Sequence, residues 1–253
     1  MADARSARPI CGDTYAERFM DADGMAIHER FTRMGRPNVS NVSRARHIDD
    51  LLRERLAVNP ALQVVLIGCG FDSRAFRLKG GSWAELDEPE LIAFKEARLP
   101  AASCPNPLRR VPIDFAVDSL AAKLAGLLRE AETVVVIEGV SMYVTDESLG
   151  QTLHVLKSAF ARHEIIVDLI TRQFLDRYGQ AIRATIAELG ARMIPGDDPG
   201  KPFRDAGYVE QSRQSVVQLG LRHGGRGWFA HLVASLSPGL FAGYSIRTYA
   251  PGP

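Results

Sequence analysis

Short, continuous apolar runs punctuate this chain, and polar segments with helical spacing fill the intervals between them. The clearest run is QVVLIG (63–68), which lacks polar alternation and therefore suits a strand buried on both faces. Ahead of it, residues 13–56 are polar and helix-prone; HIDDLLRERL (47–56) places apolar residues at 48, 51, 52 and 56, and NP at 59–60 ends that helix. GSWAELDEP (81–89) predicts a second strand ending at Asp87, followed by the helix ELIAFKEARL (90–99). RRVPIDF (109–115) predicts a third strand ending near Asp114, followed by a helix over 118–130. TVVVIEGV (133–140) is a fourth, and TDESLGQTLHVLKSAF (145–160) a helix that starts at Thr145 with acids in its first turn, where the helix dipole favours them. EIIVDLI (164–170) is a fifth strand.

Strands alternating with helices of this length imply right-handed βαβ units and a doubly wound, Rossmann-like α/β sheet, mostly parallel. After residue 171 the rhythm breaks. FLDRYGQAIRATIAELGARM predicts one longer helix, a cap over the sheet's carboxyl edge. QSVVQLGLRHGG (214–225) and GYSIRTYAP (243–251) read as two closing strands, joined by a helical GWFAHLVASL. The expected organisation is one domain: an N-terminal helical segment 1–60, a core 61–171, a cap 172–203 and closing strands 204–253.

Composition narrows the function classes. Thirty-one basic and 30 acidic side chains give no electrostatic footprint for nucleic acid or an anionic membrane. No apolar run approaches the roughly 18 residues a membrane span needs, and MADARSARPICGDTYAERF has no apolar signal core. Cys11, Cys69 and Cys104 are scattered, odd in number and without metal-ligand spacing, and the six histidines show no such spacing either. A reduced, cytoplasmic protein without a metal is the expectation; the oligomeric state is not legible.

The candidate chemistry sits at the strand tips. In a doubly wound sheet the ligand lies beyond the carboxyl ends of the strands. Gly68 and Gly70, in GCGFDS, follow the first strand and precede a helix, so backbone and ligand can approach closely. Asp87 follows Gly68 by 19 residues, the spacing of a carboxylate that bonds a ribose hydroxyl pair. A dinucleotide fingerprint wants a third glycine where Ser73 stands, and Asp72 puts a negative charge at the turn, which disfavours a pyrophosphate. S-adenosylmethionine, with a sulfonium and an ammonium and no phosphate, suits the turn better. Asp72 and Arg74 either meet that cofactor or pair to brace the turn. His223, in RHGGRGW, is the best placed of the histidines for a base.

VVLIGCGFDSRAFRL (64–78) resembles the glycine-rich signature of the leucine carboxyl methyltransferase superfamily, which includes bacterial polyketide O-methyltransferases. GDTYAERFM (12–20), SRARHIDDLL (43–52), ELDEPELIAFKEARL (85–99) and VVVIEGVSMYVTDESL (134–149) are similar to further elements of it, in the same order. The resemblance implies S-adenosylmethionine as cofactor and S-adenosylhomocysteine as product. It implies that Gly68 meets the methionine portion, with Gly70 in the same cradle, that Asp87 bonds the ribose, and that Asp114 with Phe115 holds the adenine. Arg44, with Arg46 as competitor, would clamp the cofactor carboxylate, and Glu138 would sit by its amino group. Members acting on protein C-termini tend to carry a lysine and a proline where this chain has Gly12 and Thr14.

A carboxylate acceptor is ionised at neutral pH and needs no general base, whereas a phenol, with a pKa near 10, usually does. No acid–base pair stands out in the sequence; that absence, together with the family resemblance, implies O-methylation of a carboxylate on a small natural product or metabolite. The alternatives are a peptide or protein C-terminal carboxylate, a phenolic hydroxyl and, more remotely, an NAD(P)-binding oxidoreductase. Tyr143, Arg172, Arg177 and Tyr178 are candidates for acceptor recognition, with Tyr143 and His223 the candidates for proton chemistry.

Overall fold

The computed structural model describes residues 2–33, 38–224 and 238–252. Seven strands form one sheet in the order β3-β2-β1-β4-β5-β7-β6. They are β1 (Gln63–Ile67), β2 (Ser82–Asp87), β3 (Leu108–Pro112), β4 (Glu132–Ile137), β5 (Arg162–Ile170), β6 (Tyr208–Ser215) and β7 (Tyr244–Pro251). The first five are mutually parallel, β7 runs antiparallel to β5, and β6 runs antiparallel to β7. The sheet is thus the mostly parallel, doubly wound α/β arrangement that the strand–helix alternation predicts.

Among the helices are α1 (Ala22–Arg33), α2 (Asn38–Val58), α3 (Arg74–Arg77), α4 (Pro89–Arg98), α5 (Leu120–Leu124) and α6 (Asp146–Ala159). Then follow α7 (Arg172–Tyr178), α8 (Gln180–Glu188), α9 (Lys201–Asp205), α10 (Val216–His223) and α11 (Pro238–Ala242). No helix among the described residues is long and apolar enough to cross a membrane.

The apolar run of β1 is buried along its whole length because both faces of the sheet are covered. Val64 and Leu66 point into one core, with Ile48, Leu52 and Leu56 of α2; Val65 and Ile67 point into the other, with Leu149, Leu153 and Leu156 of α6. Strand order reverses between β1 and β4, the switch point where a crevice opens beyond the carboxyl ends. α6 begins as its sequence predicts, the Thr145 hydroxyl accepting the Ser148 N–H at 3.1 Å.

The C-terminal third departs from expectation. The segment 214–225 is not a closing strand: β6 lies earlier, and most of the segment is α10, capped by the Ser215 hydroxyl, which accepts the Gln218 N–H. Val216, Leu219 and Gly220 carry helical spacing and are all buried. Gly220 lets α10 close on α2: a Cβ there would lie 2.9 Å from the Ser40 hydroxyl oxygen. β6 itself, YVEQSRQS, is an exposed polar edge strand without the apolar run that marks the central ones. The single cap helix is instead two, α7 and α8, parted at Gly179. A Cβ there would come within 2.5 Å of Leu175. The helix expected over 118–130 is confined to the five residues of α5. The helical reading of GWFAHLVASL lies outside the described residues.

Candidate active site

The turn after β1 is built from two backbone bonds and one carboxylate. Gly68 and Cys69 donate N–H to the Leu86 carbonyl at 2.9 and 3.1 Å. Gly70 donates its N–H to Asp87 Oδ2 at 2.6 Å, and Asp87 Oδ1 accepts the Glu88 N–H at 2.8 Å. Both glycines have positive φ, +66° and +47°. Their surroundings differ: a Cβ on Gly68 would strike Val140 at 2.4 Å, while nothing lies within 4 Å of one on Gly70. Gly68 is demanded by packing and Gly70 leaves open space, the kind of cradle a ligand enters.

That space is a cavity of about 350 Å³ at the β1–β4 switch point. Its wall includes the glycine turn, Arg44 from α2, Arg74 and Arg77 from α3, Glu138 after β4, and Asp3, Cys11 and Asp13 from the N-terminal segment. Four acids (Asp3, Asp13, Asp72, Glu138) face three arginines there, so the lining carries one negative charge in excess. Behind it lie two buried acids, Asp168 and Asp49, the latter also facing Arg53 at 3.6 Å.

The arginines are held in a continuous network. Arg74 Nε meets Asp49 at 2.6 Å, its Nη1 meets Glu138 at 2.7 Å and also Asp72, and its backbone N–H donates to Asp72 at 2.6 Å. Asp72 and Arg74 therefore brace the turn while also lining the cavity. Arg77 Nη1 reaches Asp49 at 2.5 Å. Arg44 Nε reaches Glu138 at 2.8 Å, and its Nη1 reaches Asp168 at 2.8 Å and the Tyr244 hydroxyl at 2.5 Å. Tyr244 donates its hydroxyl to Asp168 at 3.0 Å. Burial alone would raise the Glu138 carboxyl, but Arg74 and Arg44 overcome it and pull it down to about 2. Burial pushes the Tyr244 hydroxyl far up, against the pull of Arg44.

The structure brings together Arg44, Gly68, Gly70 and Glu138 on one wall, with Asp87 directly behind Gly70. Arg46 is turned away, paired with Asp50 at 2.8 Å and bonded to the Ile10 carbonyl. Asp114 and Phe115 follow β3 beside Asp87, whose carbonyl accepts the Ile113 N–H at 2.9 Å. Asp114 caps its own turn by accepting the Ala116 N–H, and Phe115 is 45% exposed. Tyr143 sits on the turn Ser141–Tyr143, partly exposed and outside the cavity lining, its hydroxyl raised by burial. His223 Nδ1 lies 3.0 Å from the Ser43 hydroxyl, on α10 against α2; burial, then Arg46 and Arg222, lower its pKa. Arg172 is 58% exposed and pairs with Asp197, and Arg177 lies over the Tyr178 ring; both belong to the outer face of α7.

Sequence reasoning missed Asp49, Arg77, Asp168, Tyr244 and the N-terminal acids. Asp168 had a visible signal, a charge inside the apolar run EIIVDLI, which must be paired if buried. Tyr244 had none, since only the insertion of β7 beside β5 brings it to Arg44.

Residues 1–157 match the family model described as leucine carboxyl methyltransferase. The chain belongs to that family. As a leucine carboxyl methyltransferase family member it is an S-adenosylmethionine-dependent methyltransferase. It is 27% identical over 287 residues to a Mycobacterium avium (strain 104) protein provisionally named an S-adenosyl-L-methionine-dependent methyltransferase, the match covering 99% of this chain and 88% of that one. It is 27% identical over 219 residues to the tetracenomycin polyketide synthesis O-methyltransferase TcmP of Streptomyces glaucescens, covering 80% and 76%. Its fold is similar to that of magnesium protoporphyrin IX methyltransferase from Synechocystis PCC 6803 with bound S-adenosylhomocysteine, at a TM-score of 0.54 and 16% identity, covering 94% and 99%. The cavity fits this family's cofactor in two respects: open space over Gly70, and an excess of acid for a ligand of net positive charge.

Proposed function

We propose that this chain is a single methyltransferase domain that O-methylates a carboxylate of a small natural product or metabolite. Gly68 and Gly70 would cradle the cofactor, Asp87 would reach the ribose, and Asp114 with Phe115 the adenine. Arg44 and Glu138 would meet its amino-acid end. Bound there, S-adenosylmethionine supplies an electrophilic methyl on a positively charged sulfur. The protein's work is alignment and exclusion of water. The resemblance to TcmP, an O-methyltransferase of polyketide synthesis, supports the acceptor class.

The observation that carries the carboxylate reading is the pairing of the ionisable groups around the cavity. Glu138 is committed to Arg44 at 2.8 Å and Arg74 at 2.7 Å, which hold its carboxyl low and make it a poor base toward a phenol, and the Tyr244 hydroxyl is bonded to Arg44 and Asp168 outside the cavity lining. Such a site suits an acceptor that is already an anion. The sulfonium attracts it, and no proton has to move before the methyl does.

The test is the pH dependence of kcat/KM across a panel of carboxylic acids and phenols. Carboxylates should turn over with a profile flat from about pH 6 to 9. Preference for phenols, with a rising limb near neutrality that His223→Ala abolishes in folded protein, would overturn the proposal.

A further inference from the structure

The acids on the cavity wall are not equivalent. Glu138 is spent on Arg44 and Arg74, Asp72 on Arg74, and Asp13 faces Arg77 at 3.5 Å. Asp3 has no arginine or lysine side chain paired with it among the described residues; of the cations, the charge of the chain's N-terminus acts on it, as the last and smallest of the influences that lower its pKa. Its carboxylate instead takes three consecutive backbone N–H groups, from Ile10 at 2.8 Å, Cys11 at 2.9 Å and Gly12 at 2.8 Å. Gly12, at φ +71°, gives the loop the turn that aims those amides inward. The loop is fastened to the body by Arg46, whose guanidinium donates to the Ile10 carbonyl at 3.1 Å.

Backbone amides orient a carboxylate without cancelling its unit charge. Asp3 is therefore fixed in place, half-buried, ionised and open to a cation from the cavity side. We propose that Asp3 is a cofactor-binding residue, supplying a negative charge that no arginine of the cavity shares and that holds the ammonium of the cofactor's amino-acid end. The inference rests on the reading that this cavity takes S-adenosylmethionine. It assigns to the N-terminal loop a task that Glu138, already shared by two arginines, meets only in part.

Asp3→Asn keeps an oxygen for the amides and removes the charge. Calorimetry on the whole chain would compare two probes: S-adenosylhomocysteine, which has the amino-acid end, and 5′-methylthioadenosine, which lacks it. The variant should bind S-adenosylhomocysteine about tenfold or more weakly and 5′-methylthioadenosine as the parent does. Equal weakening for both probes would assign Asp3 a role in loop structure alone, and unchanged affinity for both would remove it from the site; either result overturns the proposal. If the parent protein bound neither probe, the cofactor reading of the cavity would itself fall.

Discussion

Two clusters of buried charge flank the first two strands, and they use the same chemistry for different ends. Beyond the carboxyl ends, Arg44, Arg74 and Arg77 interlock with Asp49, Asp72, Glu138 and Asp168, and part of the network faces the cavity. On β2, Glu85 meets Lys95 of α4 and Arg110 of β3, each at 2.9 Å, and Arg110 also pairs with Glu96. Glu85 and Lys95 are both 0% exposed, and Glu85 Oε1 and Arg110 Nη2 have no hydrogen-bond partner among the described residues. In the second cluster two acids balance two cations, so it holds no spare charge for a ligand. It locks α4 to the sheet behind the glycine turn, with Lys95 Nζ 3.7 Å from the Cys69 sulfur. Burial of an ion pair is therefore no mark of function by itself; an accessible face and an unbalanced charge are what separate the two.

The contrast breaks most sharply at Lys95. Lys95→Ala leaves Glu85 buried with one partner fewer and should cost about 3–5 kcal/mol of stability in denaturant unfolding. Affinity for S-adenosylhomocysteine, measured on the folded fraction, should be unchanged; a large loss there would put Lys95 on the functional side of the comparison.

Glu138→Gln should do the converse. A stability loss of about 1–3 kcal/mol at pH 7 should accompany weaker cofactor binding, because two arginines lose part of their counter-charge. The pH dependence has a definite sign. The folded carboxyl, at about 2, lies below its ordinary value, so its stabilisation is present above about pH 4.5 and lost as pH falls through about 2. The gap between parent and variant in urea unfolding should thus narrow as pH is lowered below 4.5, and a constant gap would refute the coupling. Arg172→Ala marks the lower bound: an exposed pair with exposed Asp197 should cost no more than about 0.5 kcal/mol, by thermal melting. An effect on acceptor KM in that variant would draw α7 into the site.

What was legible in the sequence follows from how locally each feature is specified. VVLI, VVVI and the glycines between strand and helix encode their own burial and turn, so β1, β4, Gly68 and Gly70 could be read directly. Asp87 could be placed at its strand tip, but not its double acceptance from Gly70 and Glu88, because backbone contacts across 17 residues leave no trace in composition. α10 is not legible as a helix, because its apolar residues serve equally for a short strand until α2 is known to lie beside it. The choice between Arg44 and Arg46 was likewise open on paper: two residues apart on one helix, they diverge by the roughly 200° that α-helical geometry imposes, and only one turns inward.

The position of β7 bears on how the molecule is made. The chain reaches β7 after every other strand, yet β7 lies between β5 and β6 rather than at the sheet's edge. A ribosome must release residues through 251 before β6 can be joined to the rest and before Tyr244 can close on Arg44 and Asp168. A nascent chain stalled short of that point can assemble its glycine turn but not the floor beneath Arg44. β7 is thus the strand that closes the sheet beside the cavity, and a copy truncated before it is left with an exposed β5 edge as a target for proteolysis.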